Sequence, residues 1–149
     1  MAFFKKITDD FFDWLEDMFR KGKSLDWLSS GIFKFGNDNV TYRNFVRLKQ
    51  RKDDGWHNVL CHGSSTRVVI DGRKYKAEEF AKMLLEQGYE KGNPIRLISC
   101  ETGSKTNGFA SQLAKLLETK VIAPTERIAI DDLGRFIHDK KGKFVEFNK

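Results

Sequence analysis

Apolar positions in this chain recur in two rhythms, helical spacing near both ends of the first hundred residues and short unbroken runs in the second half. Phe4, Phe11, Leu15 and Met18 predict an amphipathic helix over 8–20, with acids early and Arg20, Lys21 and Lys23 late around Gly22. Residues 24–56 are less patterned: a turn at Leu25–Leu28, then Ile32, Phe33 and Phe35, then Tyr42 to Leu48 ahead of a polar stretch closing at Gly55. From Trp56 the punctuation sharpens. A strand is predicted over 57–62, and Asp71-Gly72 between β-forming residues predicts a hairpin over 67–75. Ala77, Phe80, Ala81, Leu84 and Leu85 keep helical spacing up to Gly88, and Pro94 opens a strand over 95–100.

Thr106 or Asn107 is then expected to cap a helix whose buried face is Phe109, Ala110, Leu113, Ala114, Leu116 and Leu117. Val121-Ile122-Ala123 reads as a buried strand closed by Pro124. Segments 127–130, 133–138 and 143–147 read as short antiparallel strands. Strand, helix, strand, helix, strand with short connections requires right-handed crossovers and a mostly parallel sheet between helices, that is, a three-layer α/β/α sandwich ending in an antiparallel hairpin. Gly55 is taken as a boundary: residues 1–55 as an N-terminal segment packed on the core, 56–149 as the core.

The 149 residues, 40% hydrophobic and 32% charged with two prolines, allow one globular domain and exclude disordered or low-complexity classes. Two cysteines are too few for a disulfide scaffold, so free thiols are expected. No run has the length of a signal peptide or a membrane span. The net charge of +6 raises the question of an anionic partner. The lysines are scattered, however, and residues 1–20 carry five acids against three cations, so nucleic acid is not the expected partner.

Chemistry concentrates where two apolar runs end. Asn58-Val59-Leu60-Cys61-His62-Gly63 and Ile95-Arg96-Leu97-Ile98-Ser99-Cys100 each close on a residue suited to thiol catalysis. A buried parallel strand delivers its last side chain to the carboxyl edge of the sheet, where open α/β folds place their sites. Neighbouring strands would bring His62 beside Cys100, and an imidazole next to a thiol makes the thiolate available. The N–H groups of Gly63 and Cys100 would face a developing oxyanion, where one such donor is worth about 3 kcal/mol. Cys61 alternates to the opposite face and reads as core; His57 and His138 read as surface residues. A zinc site from Cys61, His62, Cys100 and His138 lacks ligand spacing, and a serine hydrolase reading of His62-Gly63-Ser64-Ser65 lacks a nucleophile elbow.

An apolar block closed by His-Gly, a spacer, then an apolar block closed by Ser-Cys resembles the caspase-like clan of cysteine peptidases. That clan includes caspases, legumain, clostripain and the self-processing domains of large bacterial toxins. The continuation Glu101-Thr102-Gly103, Gly108 to Ala114 and Val121 to Thr125 is similar to the small caspase-like modules at the C-terminal ends of bacterial polymorphic toxins. The resemblance spans roughly residues 56–147. It implies a caspase-like fold, a nucleophile at Cys100, an acid–base at His62 and an acyl-enzyme, acting on a protein, a peptide or the parent polypeptide. It also implies delivery as part of a larger toxin into a reducing cytoplasm, with an immunity or inhibitor protein as a further partner. Arg135, Lys140, Lys141 and Lys143 only loosely echo the basic flap by which toxin self-processing domains bind inositol phosphate, so no cofactor is expected. Two other classes stay open: a caspase-like module that binds without cleaving, and a basic toxin directed at nucleic acid.

Overall fold

The computed structural model describes residues 31–149. The helix predicted over 8–20 and the turn at Leu25–Leu28 lie outside the described residues. Strand β1 (Ile32–Lys34) leads into helix α1 (Asn39–Leu48), then β2 (His57–Leu60), β3 (His62–Gly63), β4 (Val68–Ile70) and β5 (Arg73–Tyr75). Helix α2 (Ala77–Glu86), β6 (Ile95–Ile98), helix α3 (Phe109–Leu116) and β7 (Val121–Pro124) follow. The chain closes with β8 (Ile128–Ile130), β9 (Phe136–His138) and β10 (Phe144–Phe147). The fold is mixed α/β around one five-stranded sheet in the order β1-β2-β6-β7-β10. The first four strands are parallel, and β10 returns antiparallel to β7 at the edge.

Alternation along the strands divides the core into two faces. Phe33, Val59, Ile95, Leu97, Val121 and Ala123 meet Phe80 and Leu84 of α2 and Phe109 and Leu113 of α3 on one side. Ile32, Leu60 and Ile98 meet Phe45 and Leu48 of α1 and Ile128 and Ile130 of β8 on the other. Burying a side chain of this size contributes about 1.5–3 kcal/mol. Interleaved with the second set is a charged one: Arg96, 5% exposed in the middle of β6. Its Nε donates to Asn58 Oδ1 at 2.7 Å, its terminal nitrogens to both Asp54 oxygens at 2.7 and 3.1 Å, and its guanidinium lies 4.9 Å from the Phe136 ring centre. Burial pushes the Asp54 carboxyl up, and the Arg96 hydrogen bonds overcome this to leave it below its ordinary value.

Several sequence expectations are met in detail. The Asp71-Gly72 turn has positive φ at both residues (49° and 82°), the requirement of the tight hairpin turn that joins β4 to β5. Helix α2 stops at Gln87, followed by Gly88 at φ 97°. The antiparallel hairpin near the C-terminus is β8–β9.

Other expectations shift. The boundary at Gly55 falls inside the sheet, because β1 pairs with β2 in parallel register (Phe33↔Val59) and α1 covers one face. The strand predicted over 57–62 breaks at Cys61, and His62 joins Gly63 in β3, which pairs with β4 in a second sheet. Helix α3 is preceded by Gly108 rather than capped by Thr106 or Asn107. At Gly108 the backbone lies so close that a Cβ would come 2.6 Å from the Ser65 carbonyl oxygen. Segment 143–147 returns to the main sheet as β10 instead of extending the hairpin.

Candidate active site

β2 and β6 lie side by side with Leu60 opposite Ile98, so His62 and Cys100 each follow the same register position by two residues at the carboxyl edge. The Cys61 N–H continues the ladder to the Ile98 carbonyl at 3.4 Å. Beyond it the His62-Gly63 backbone crosses the turn Ser99–Thr102. A Cβ on Gly63 would collide with Ser99 Oγ, and would lie 2.8 Å from Thr102 Cγ2 and 3.3 Å from the Cys100 carbonyl oxygen. Glycine is therefore what lets the histidine strand approach the cysteine turn.

The turn is fixed from the other side. The Glu101 N–H donates to the Glu126 carbonyl (3.1 Å) and the Gly103 N–H to that of Pro124 (2.9 Å), while Thr102 Oγ1 closes back on the Ser99 carbonyl at 2.8 Å. Glu101, immediately after the cysteine, takes a positive φ of 62°, costly for a side-chain-bearing residue and typical of tight turns at functional sites. The half-buried Cys100 thiol lies against β8. The Ile128 N–H points at Sγ from 3.5 Å, and Sγ lies 3.8 Å from the Ile128 carbonyl oxygen.

Among the described residues the Cys100 N–H has no hydrogen-bond acceptor. The Ser64 N–H bonds the Arg67 carbonyl at 2.8 Å, which makes Ser64 and Arg67 the hydrogen-bonded pair of that hairpin. Alternation then makes Gly63↔Val68 a non-hydrogen-bonded pair, so the Gly63 N–H points away from β4. The two N–H groups expected to face an oxyanion are thus not committed to each other's strands.

His62 is held by a residue that sequence reasoning missed. Its Nε2 is 2.7 Å from Asp38 Oδ2. Asp38 is also the N-cap of α1, accepting from the Thr41 N–H at 3.0 Å and from Thr41 Oγ1 at 2.8 Å. Burial pushes this carboxyl up, but the hydrogen bonds from His62 and Thr41 outweigh it and hold it at about 2. His62 and Cys100 make no direct hydrogen bond, and His62 Nδ1 keeps no partner among the described residues. The signal available in sequence was Asp38-x-x-Thr41, a capping pattern after Gly36-Asn37, within the stretch assigned to the extension.

The remaining candidates separate from this edge. Cys61 is buried on the α2–α3 face with Sγ 3.7 Å from Ser99 Oγ, and burial pushes its thiol up to about 12. His57, at the start of β2, is half-buried with its ring 6.4 Å from those of Phe33 and Tyr89. His138 is half-buried edge-on to Phe144 at 4.8 Å, and burial lowers its pKa. Neither is the plain surface residue expected, because each packs on an aromatic ring. Among the described residues no three His, Cys, Asp or Glu side chains converge as metal ligands, so the four-residue zinc reading is not assembled. Among them, too, no helix is long and apolar enough to cross a membrane.

No curated protein matches the sequence. A family model described as a domain of unknown function, DUF8616, matches residues 30–141, a span that starts at β1, contains Asp38, His62, Gly63 and Cys100, and covers most of the chain; the chain belongs to that family.

Proposed function

We propose that this domain is a caspase-like cysteine peptidase whose nucleophile is Cys100 and whose acid–base is His62. The observation that carries the reading is the parallel pairing of β2 with β6, with Gly63 seated on the Ser99–Thr102 turn. His62 takes the Cys100 proton on Nδ1, and the thiolate attacks the scissile carbonyl carbon. The N–H groups of Gly63 and Cys100 stabilise the oxyanion. As the tetrahedral intermediate collapses, the C–N bond breaks and His62 protonates the departing amine. Water, deprotonated by His62, then attacks the thioester, releasing the acid and returning the proton to sulfur. Asp38 orients the imidazole through Nε2, the part played by the third member of a catalytic triad. The open distance between imidazole and sulfur fits a resting site that tightens on substrate.

The resemblance to modules ending bacterial polymorphic toxins makes the biological setting an effector or self-processing domain, acting on a protein or on its parent polypeptide. A second reading, a caspase-like module that binds without cleaving, draws on the resting geometry, in which His62 is engaged by Asp38 and the thiol by Ile128. Mass spectrometry of a peptide library incubated with wild type and with Cys100→Ala separates the two. Cleavage by wild type alone is the expected result. Identical peptide profiles, together with Cys100 alkylating no faster than a small-molecule thiol, would overturn the peptidase reading in favour of binding.

A further inference from the structure

Helix α1 buries one face and leaves an unusual opposite one. Thr41, Asn44, Phe45 and Leu48 face the core. Turned to solvent are Tyr42, 60% exposed, and Val46, 44% exposed; they stand four residues apart and so adjoin on one face, flanked by exposed Arg43 and Lys49. Over residues 39–52 the chain carries five cations (Arg43, Arg47, Lys49, Arg51 and Lys52) and no acid. An apolar strip edged by one sign of charge is a surface shaped for a partner of the other sign.

The sequence of this same chain supplies one. Residues 1–20 hold Asp9, Asp10, Asp13, Glu16 and Asp17 among Phe4, Phe11, Leu15 and Met18, an acidic aromatic stretch within a protein of charge +6. The connection is short. The Gly31 carbonyl accepts from the Asn58 N–H at 2.8 Å, which fixes Gly31 at the amino edge of the sheet beside the start of β2. Helix α1 starts beyond the carboxyl end of β1 and must return to the amino edge before β2 begins, so its Leu48 end comes back toward Gly31. Ten helical residues span roughly 15 Å, well within reach of the thirty residues that precede Gly31.

We infer that the solvent face of α1 is the docking surface for the acidic, aromatic N-terminal segment of its own chain. The pairing buries Tyr42 and Val46 under aromatic side chains and sets acids against Arg43 and Lys49. The helix so covered is the one whose N-cap, Asp38, holds His62, so the segment lies on the element that positions the imidazole. The inference does not depend on the peptidase reading, since the docking is detectable without any activity.

The test uses the full chain. A benzophenone-bearing phenylalanine in place of Tyr42 is photolysed in a mixture of isotopically light and heavy protein, and the cross-links are mapped by mass spectrometry. Hydrogen exchange of residues 8–20 is measured in wild type and in Tyr42→Glu/Val46→Glu, both substitutions at exposed positions. Cross-links to residues 1–20 within one copy, with exchange of 8–20 at least tenfold faster in the double variant and unchanged over 57–63 and 95–98, are expected. Light–heavy cross-links would assign the surface to a second copy and overturn the inference. Exchange of 8–20 at the intrinsic rate in wild type, or protection that the double variant does not alter, would overturn it as well.

Discussion

The Asp38 carboxylate and the His62 imidazole share a 2.7 Å hydrogen bond that joins the start of helix α1 to the end of strand β2. One oxygen pair thus serves two structures, capping a helix and orienting a ring, and the two roles can be separated by substitution. Asparagine caps a helix as well as aspartate does, but supplies no negative charge. Asp38→Asn should therefore keep stability within about 1 kcal/mol, while lowering kcat/KM about 10- to 100-fold and moving its pH profile. Asp38→Ala should lose the cap too, at an added cost of about 1 kcal/mol. Equal activity in wild type and Asp38→Asn would remove the carboxylate from the mechanism.

The same carboxylate predicts a pH dependence of stability. Its folded pKa, about 2, lies below the ordinary value of 3.8, so the folded state holds the charged form more tightly than the unfolded chain does. The stabilisation is complete above the ordinary value and fades as pH falls from about 4 towards 2. Denaturant midpoints measured at pH 6, 4 and 2.5 should converge for wild type and Asp38→Asn as the pH drops. A constant gap across that range would mean that the bond contributes nothing that titrates.

Gly63 tests the approach of the two strands. In Gly63→Ala the new methyl meets Ser99 Oγ and Thr102 Cγ2. Overpacking of this kind costs about 1–3 kcal/mol, and by displacing the His62 strand it should slow alkylation of Cys100 in substrate-like probes. Ser99→Ala removes the first clash and leaves the second, so the double variant should regain part of the stability. Urea denaturation of the three proteins checks the pattern, and a double variant no more stable than Gly63→Ala would contradict the packing.

Legibility in the sequence followed burial. β2 and β6 were readable because a strand covered on both faces must be apolar at successive positions, and the first polar residues past that cover fall at its rim. The α2 stop and the Asp71-Gly72 turn were readable because positive φ selects glycine and aspartate at those points. β1 was not. It is three residues long at the sheet edge, and Lys34 interrupts Ile32-Phe33-Lys34-Phe35 with a side chain that is nevertheless buried, its Nζ donating to the Gly36 carbonyl at 3.0 Å. A charged residue inside a short strand looks like a loop in sequence. With β1 hidden, α1 and Asp38 fell on the wrong side of the Gly55 boundary, and the orienting member of the site went unseen.

The two thiols should behave as different chemical species. Cys61, buried and with its pKa pushed up to about 12, is all but fully protonated at neutral pH and sealed from reagents. Native protein treated with iodoacetamide at pH 7.5 should take one label, on Cys100, and a second only in denaturant. Labelling of both at comparable native rates would place Cys61 at a surface and contradict its position among Phe80, Leu97 and Phe109.

Arg96 gives the sharpest stability test, because it sets a buried charge in the strand that leads to Cys100. Its guanidinium is satisfied by Asn58 and by both oxygens of Asp54, and rests on Phe136 from the β8–β9 hairpin. Removing one partner of a buried pair costs about 3–5 kcal/mol because the other is left uncompensated, whereas replacing the pair with apolar groups is often neutral. Asp54, however, is more exposed than Arg96, with 38% of its side chain open to solvent against 6%, and so can rehydrate. Arg96→Met should therefore cost less than Asp54→Ala, which strands a cation under Phe136 between the sheet and the hairpin. Arg96→Met/Asp54→Ala should recover most of the loss, since no charge remains buried. Denaturant unfolding of the four proteins at neutral pH measures the cycle; strictly additive losses would show that the pair is not coupled and that packing on Phe136 alone holds Arg96 in place.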